Sequence, residues 1–219
     1  MTPVRLNALL VGAIAPMGNK RKSAIAKQAT DQPVRLRFAG LEGDFQSNKF
    51  YHGGPDKAVH HYPFDHYARW REEMPDHPRL AAPGAFGENF SSTGLLEDQV
   101  CIGDRFRIGT ALIEVSQGRK PCSVQGRFLE WPKLPALMVK ERRPGWYARV
   151  IEEGVIAAGE SLTLVERPLP DWSVKRVFGL LVAGDHKTDP AALEALSAME
   201  LLHEGWRARA DELSLRMRG

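Results

Sequence analysis

At 219 residues, 43% hydrophobic and 26% charged, the chain has the make-up of a globular protein with one large domain, or one domain and a small appendage. Its net charge of +3 is too small to name a partner, and two cysteines, Cys101 and Cys122, cannot build a disulfide framework. The first apolar run is interrupted by Arg5, Asn7 and Gly12 and is followed by basic residues. A signal peptide has the reverse polarity and a membrane span needs roughly 20 apolar residues, so the chain reads as cytoplasmic, where Cys122 can act as a thiolate.

In chain order, VRLNALLVGAIA (4–15) reads as a strand and MGNKRKSAIAKQ (17–28) as a basic arm or loop. PVRLRFAG (33–40) alternates Val34, Leu36 and Phe38 inward with Arg35 and Arg37 outward, the period of a strand. GLEGDFQSNKFYHGGPDK (40–57) carries four glycines and a proline and is a long ordered loop of the kind that serves function. AVHHY (58–62) is a short strand, and PFDHYARWREEM (63–74) a helix with Pro63 near its start. Residues 85–117 give several short strands punctuated by Gly103 and Gly109. PCSVQGRFLEW opens a helix, Gly159 is a turn, and SLTLVE closes as a final strand.

After RPLPDW (167–172) the texture changes. Apolar-periodic segments near 173–182, 190–199 and 203–214, with Ser173 and Asp189-Pro190 as starts, predict three small helices. The expected fold is mainly β with α decorations: a barrel or curled sheet over 1–168, then a three-helix domain over 169–219.

Four stretches carry candidate chemistry. In EVSQGRKPCSV (114–124), Cys122 follows Arg119, Lys120 and Pro121; neighbouring cations favour a thiolate, which is both nucleophile and soft ligand. The plain alternative is a buried apolar cysteine. From Ser116 to Arg149 there are eight Lys or Arg and two acids, an excess suited to phosphate or another anion. In the 40–57 loop, Gly53 and Gly54 let backbone approach a ligand, with His52 and Lys57 as donors and Asp44 as acceptor; a tight turn is the alternative. In GAFGENF (84–90), Glu88 and Asn89 lie between small and aromatic residues. His60, His61 and His66 lack a third ligand at convincing spacing and read as structural or surface histidines, not a zinc site. Walker, G-x-G-x-x-G, H-E-x-x-H and G-x-S-x-G motifs do not occur.

Taken together, GLEGDFQSNKFYHGGPDKAVHHY (40–62), GAFGENF (84–90), residues 94–122 and GWYARVIEEG (145–154) resemble the MOSC family, the molybdenum-cofactor sulfurase C-terminal domain proteins, in its stand-alone YiiM-type branch. The tail from DWSVKRVFGLL resembles the three-helix domain that follows MOSC there. The resemblance implies a MOSC-type β-barrel and a molybdenum cofactor held as molybdopterin, with Cys122 as metal ligand. It implies reduction of N-hydroxylated compounds, N-hydroxylated purines included, with electrons from NAD(P)H delivered by an external flavin-type reductase. Cys122, Asp44 and His52 are then the catalytic candidates. Arg119, Lys120, Gly53, Gly54, Lys57, Glu88, Asn89 and Ser116 are candidates for holding the cofactor. The chain departs from the family pattern at Gly118, where proline is usual, and in SVQG after the cysteine, changes that bear on substrate preference. A cofactor carrier or sulfur relay through Cys122 is the alternative. Neither a membrane nor a nucleic acid is expected as a partner: residues 172–219 hold seven basic and seven acidic residues, and a recognition domain should be basic. The sequence leaves room for a homodimer.

Overall fold

The computed structural model describes residues 1–17, 22–46 and 53–218. Seven strands form a closed barrel: β1 (Val4–Val11), β3 (Val59–Pro63), β4 (Phe90–Ser92), β5 (Arg105–Ile108), β6 (Ala111–Gly118), β7 (Trp146–Glu152) and β9 (Ser161–Glu166). Going round, the order is β9–β5–β6–β7–β3–β4–β1, and β1 pairs with β9 to close the ring. Seven is odd, so direction cannot alternate all the way round. One pair must be parallel, and it is β3–β4, whose register runs from His61 opposite Phe90 to Pro63 opposite Ser92. A parallel pair needs a crossover, supplied by helix α1 (Asp65–Glu73) and the loop to Phe90. Outside the barrel, β2 (Val34–Arg37) pairs with β8 (Gly154–Ile156).

Two expectations fail locally. Phe38 is 55% exposed, because β2 ends at Arg37 and Phe38 begins the reversal toward Gly40, its amide donating to Glu153. Pro63 ends β3 and does not start α1; it cannot donate to a ladder, but at a strand's last position that costs nothing.

Leu6, Leu9, Phe90, Phe106, Ile113, Val115 and Trp146 fill the barrel. Every residue of β6 is buried, an uncommon pattern for an antiparallel strand with one wet face. The reason is the C-terminal segment. Helices α4 (Val174–Phe178, continued by a π-turn to Ala183), α5 (Ala192–Ser197) and α6 (Glu204–Arg218) follow β9, and Val174, Phe178 and Trp206 belong to the same apolar cluster as the barrel core. Ser173 caps α4, its hydroxyl accepting from the Arg176 amide. Gly118 faces this segment: a Cβ there would lie 3.1 Å from the Trp206 ring. The departure at Gly118 is therefore accommodated against the tail. A second apolar cluster, including Tyr62, Tyr67, Trp70, Phe86, Leu134 and Met138, joins α1 to helices α2 (Ser123–Phe128) and α3 (Leu134–Lys140). Among the described residues, no helix is long and apolar enough to cross a membrane.

Candidate functional site

Beside the starts of β3 and β4, a cleft of about 370 Å³ opens. Its lining includes Cys122, Arg119, Lys57, Asp44 and Asn89, which are far apart in sequence. Lys27, His60, Arg127 and Tyr147, none of them singled out as a site residue from sequence, line it too. Among the described residues, five cations, counting Lys22, therefore face it with a single carboxylate.

Each group is positioned by a distinct local cause. Cys122 is half-buried at the start of α2; the Gln125 side chain accepts from its amide at 3.2 Å and fixes where the helix begins. Arg119 leaves the end of β6, its amide bonded to the Gly145 carbonyl at 3.0 Å and its guanidinium to the Phe86 carbonyl. It is 6% exposed, and its Nε has no hydrogen-bond partner among the described residues. Asp44 is held from three sides. One oxygen accepts from the Gly12 amide at 2.8 Å and from Lys27, and the other accepts from Asn89 Nδ2 at 2.9 Å. Asn89 also donates to the Leu10 carbonyl and accepts from the His60 amide at 3.1 Å. Its donor–acceptor pair thus stitches β1, β3 and the Asp44 loop together at the cleft floor.

Burial pushes the Lys27 ammonium below its ordinary range, Asp44 pulling the other way. Burial likewise lowers Lys57. His60 is held well below its usual value, first by burial and then by Arg119, with the Gly87 backbone pulling the other way, and neither ring nitrogen has a well-formed hydrogen bond among the described residues. Burial raises the Tyr147 phenol. The cleft is thus a cationic surface whose Lys27, Asp44, Asn89 and Arg119 side chains are held in place by the fold.

The other candidates lie elsewhere. Glu88 is fully buried beside the cleft, accepting from the Gly84 amide at 2.7 Å, the Phe86 amide at 3.0 Å and the Tyr67 hydroxyl. Ser116 is buried, its one proton shared between the Asp56 and Tyr147 carbonyls. Lys120, next to buried Arg119, is exposed and borders a groove with Trp206 and Arg209 on the tail. Gly53 and Gly54 lead into the Pro55–Lys57 turn, Gly54 at φ +97°, where only glycine is unstrained. His52 lies outside the described residues. His61 and His66 belong to the interior, His61 stacked on Trp146 and bonded to Ser92, and His66 bonded to Glu97 at 2.7 Å.

A weak signal for the missed residues was present. Lys27 sits in the basic arm, but its pairing with Asp44, 17 residues away, leaves no trace in local pattern. His60 neighbours His61 on a strand, and alternation alone does not tell which of them faces the cleft.

Cysteine sulfur, several cations and orphaned buried donors in one cavity suit a large anionic ligand that carries a soft metal. Comparison with known proteins places the chain in a family. Residues 48–163 match the MOSC domain. The chain is 43% identical to Protein YiiM of Escherichia coli over 156 residues, 71% of this chain and 70% of that one. It is 40% identical over 175 residues, 80% of this chain, to a protein of Gibberella moniliformis named Reductase, but spans only 30% of that protein's length. In structure it is similar to YiiM from Geobacillus stearothermophilus, with a TM-score of 0.80 at 32% identity, covering 97% of this chain and 100% of that one.

Proposed function

The chain belongs to the MOSC domain family, and on that premise we propose that its cleft binds a molybdenum cofactor and reduces N-hydroxylated compounds, N-hydroxylated purines among them. The observation that carries this reading is Cys122 lining one cavity with Arg119, Lys27, Lys57 and Arg127. Cys122 would ligate the metal, and the four cations would hold the anionic part of the pterin. Bound there, the cofactor supplies a two-electron redox centre.

The overall change consumes two electrons and two protons, converting N–OH to N–H with release of water. The chain's task is to orient the hydroxylamine and to deliver protons. Lys27 suits the second role: it lines the cleft, and burial makes its ammonium readier to give up a proton. Asp44, whose oxygens accept from the Gly12 amide, Lys27 and Asn89, holds Lys27 in place and acts as the orienting group. Asn89 braces Asp44 in turn. Low exposure of Arg119 and Asn89 limits water at the floor of the cleft. Electrons would arrive from NAD(P)H through a separate flavin-type reductase.

The test is molybdenum content of wild type and Cys122→Ser, both made in a molybdopterin-competent host. Near-stoichiometric metal in the wild type, little in the variant and equal melting temperatures are expected. A metal-replete, fully active Cys122→Ser protein would refute the site. Metal retained without NADH consumption, on adding reductase and an N-hydroxylated purine, would instead support a carrier.

A further inference from the structure

The cleft is not built by the barrel alone. Arg149, on β7, uses all three guanidinium nitrogens on three different segments. Its Nε donates to Asp56 Oδ1 at 2.6 Å, Nη1 to Glu114 Oε1 at 2.9 Å and Nη2 to the Leu201 carbonyl at 3.0 Å. Asp56 belongs to the Pro55–Lys57 turn that presents Lys57 to the cleft, Glu114 to β6, and Leu201 to the connector between α5 and α6. Ser116 repeats the link, its hydroxyl donating to the Asp56 carbonyl while its own carbonyl accepts from the His203 amide at 3.1 Å.

The connector is itself seated on glycines. A Cβ at Gly103 would lie 2.6 Å from the Leu201 side chain, and one at Gly118 would press on Trp206, Val174 and Phe178. Gly118 is the residue immediately before Arg119, on the strand end from which the Cys122 loop departs. Two of the cleft's cations, Lys57 and Arg119, therefore stand on segments backed by the C-terminal helices.

We infer that the three-helix segment is a working part of the cleft, and that Arg149 is the positioning residue through which it holds the Lys57 turn. Arg149 touches no ligand; it acts by fixing where Lys57 stands relative to Arg119 and Cys122. A lysine cannot replace it, because one ammonium cannot span three partners that a planar fork reaches together. The consequence for ligand retention rests on the proposed function; the consequence for the turn does not.

The test uses the full chain. Arg149→Met removes all three bonds, and Arg149→Lys keeps the charge without the fork. Arg105→Met is the control: Arg105 pairs with Glu114 and Glu166 in the same network but bonds neither the turn nor the connector. Hydrogen exchange is read at the amides of Lys57, Ala58 and His203, which bond the Gly54, Pro55 and Ser116 carbonyls and report local opening without any cofactor. Exchange in Arg149→Met should be about ten-fold faster than in wild type or Arg105→Met, with Arg149→Lys between. In loaded protein, the molybdenum cofactor should dissociate faster from Arg149→Met, and Arg149→Lys should recover part of the retention. If Arg149→Met does not fold, Arg149→Lys carries both readouts with smaller effects. Unchanged exchange overturns the inference whatever the cofactor does. So does faster exchange with wild-type retention, because the turn would then not matter to the cleft. A wild type that holds no cofactor refutes the proposed function alone, and exchange still decides this inference.

Discussion

Glu88 and Asn89 are neighbours in sequence, both buried, and they open onto two different kinds of polar interior. Around Glu88 the account is closed: two amides and a phenol point at its two oxygens, and Tyr67 accepts from the Gly84 and Ala85 amides at 3.1 Å in turn. Around Asn89 it is open, with Arg119 Nε and both His60 ring nitrogens lacking a well-formed hydrogen bond among the described residues at the cavity wall. Orphaned buried groups cost free energy. Where they line a cavity, the comparison teaches that the fold tolerates that cost for a ligand, whereas the closed knot serves the fold itself.

The sharpest way to break the comparison is to delete one group from each side. Glu88→Leu strands the Phe86 amide and the Tyr67 hydroxyl proton, leaves the Gly84 amide only its bond to Tyr67, and should cost roughly 3 kcal/mol or more of stability, at about 1–3 kcal/mol for each unsatisfied buried group. Arg119→Met removes an orphan along with its one bond to Phe86 and should cost roughly 1 kcal/mol, while cofactor retention falls. Urea unfolding midpoints of the two apoproteins measure this. The reverse ranking would erase the distinction between knot and cleft.

Acid sharpens it next. Burial, with His66 adding to it, lowers His61 to about 3, and His60 is also held well below the ordinary value. Above about pH 6.5 both are neutral whether folded or unfolded, and their contribution is fully present. Below that the unfolded chain takes up protons that the folded one refuses, so stability falls with pH toward 3, by roughly 1.4 kcal/mol per unit for each histidine. Glu88, raised by burial, opposes this at the acid end. His203 is lowered by burial too, so the loss of stability between pH 6.5 and 5 should shrink in His61→Asn by less than half, and should shrink again on ligand loading if His60 acquires a partner. A flat profile in wild type would show that neither histidine is held neutral.

Much of the fold was legible because its causes are local. Glycines punctuate the strands at 103, 109 and 159, all at positive φ, and the alternation of 34–37 places Leu36 in the core. The tail's three periods become three helices, and SVQGRF becomes α2. What escaped depends on contacts between distant segments. The parallel β3–β4 pair follows from ring closure, which no window of residues records. Cys122, Arg119, Asp44, Lys57 and Asn89 could be named from their chemistry, but Lys27 and His60 could not, since their place is set by Asp44 and Arg119 approaching from elsewhere. Phe38 shows the limit of alternation: the period persists in sequence one residue beyond where the strand ends.

The smallest expected effect tests why β6 is dry on both sides. Arg119 and Lys120 are adjacent, yet one lies in the cleft wall and the other on the tail groove. Lys120→Ala, at an exposed position, should change stability by less than about 0.5 kcal/mol. Gly118→Ala adds one methyl where Trp206 already stands 3.1 Å away, and should cost about 1 kcal/mol as the tail shifts by a few tenths of an ångström. Because the strand continues directly into Arg119, that shift reaches the cleft, so Gly118→Ala should also loosen ligand retention although its methyl points at the tail. Thermal melts and cofactor off-rates on the two variants measure both effects. A Gly118→Ala protein as stable and as retentive as Lys120→Ala would mean that the tail yields freely, and that β6 is rigid without it.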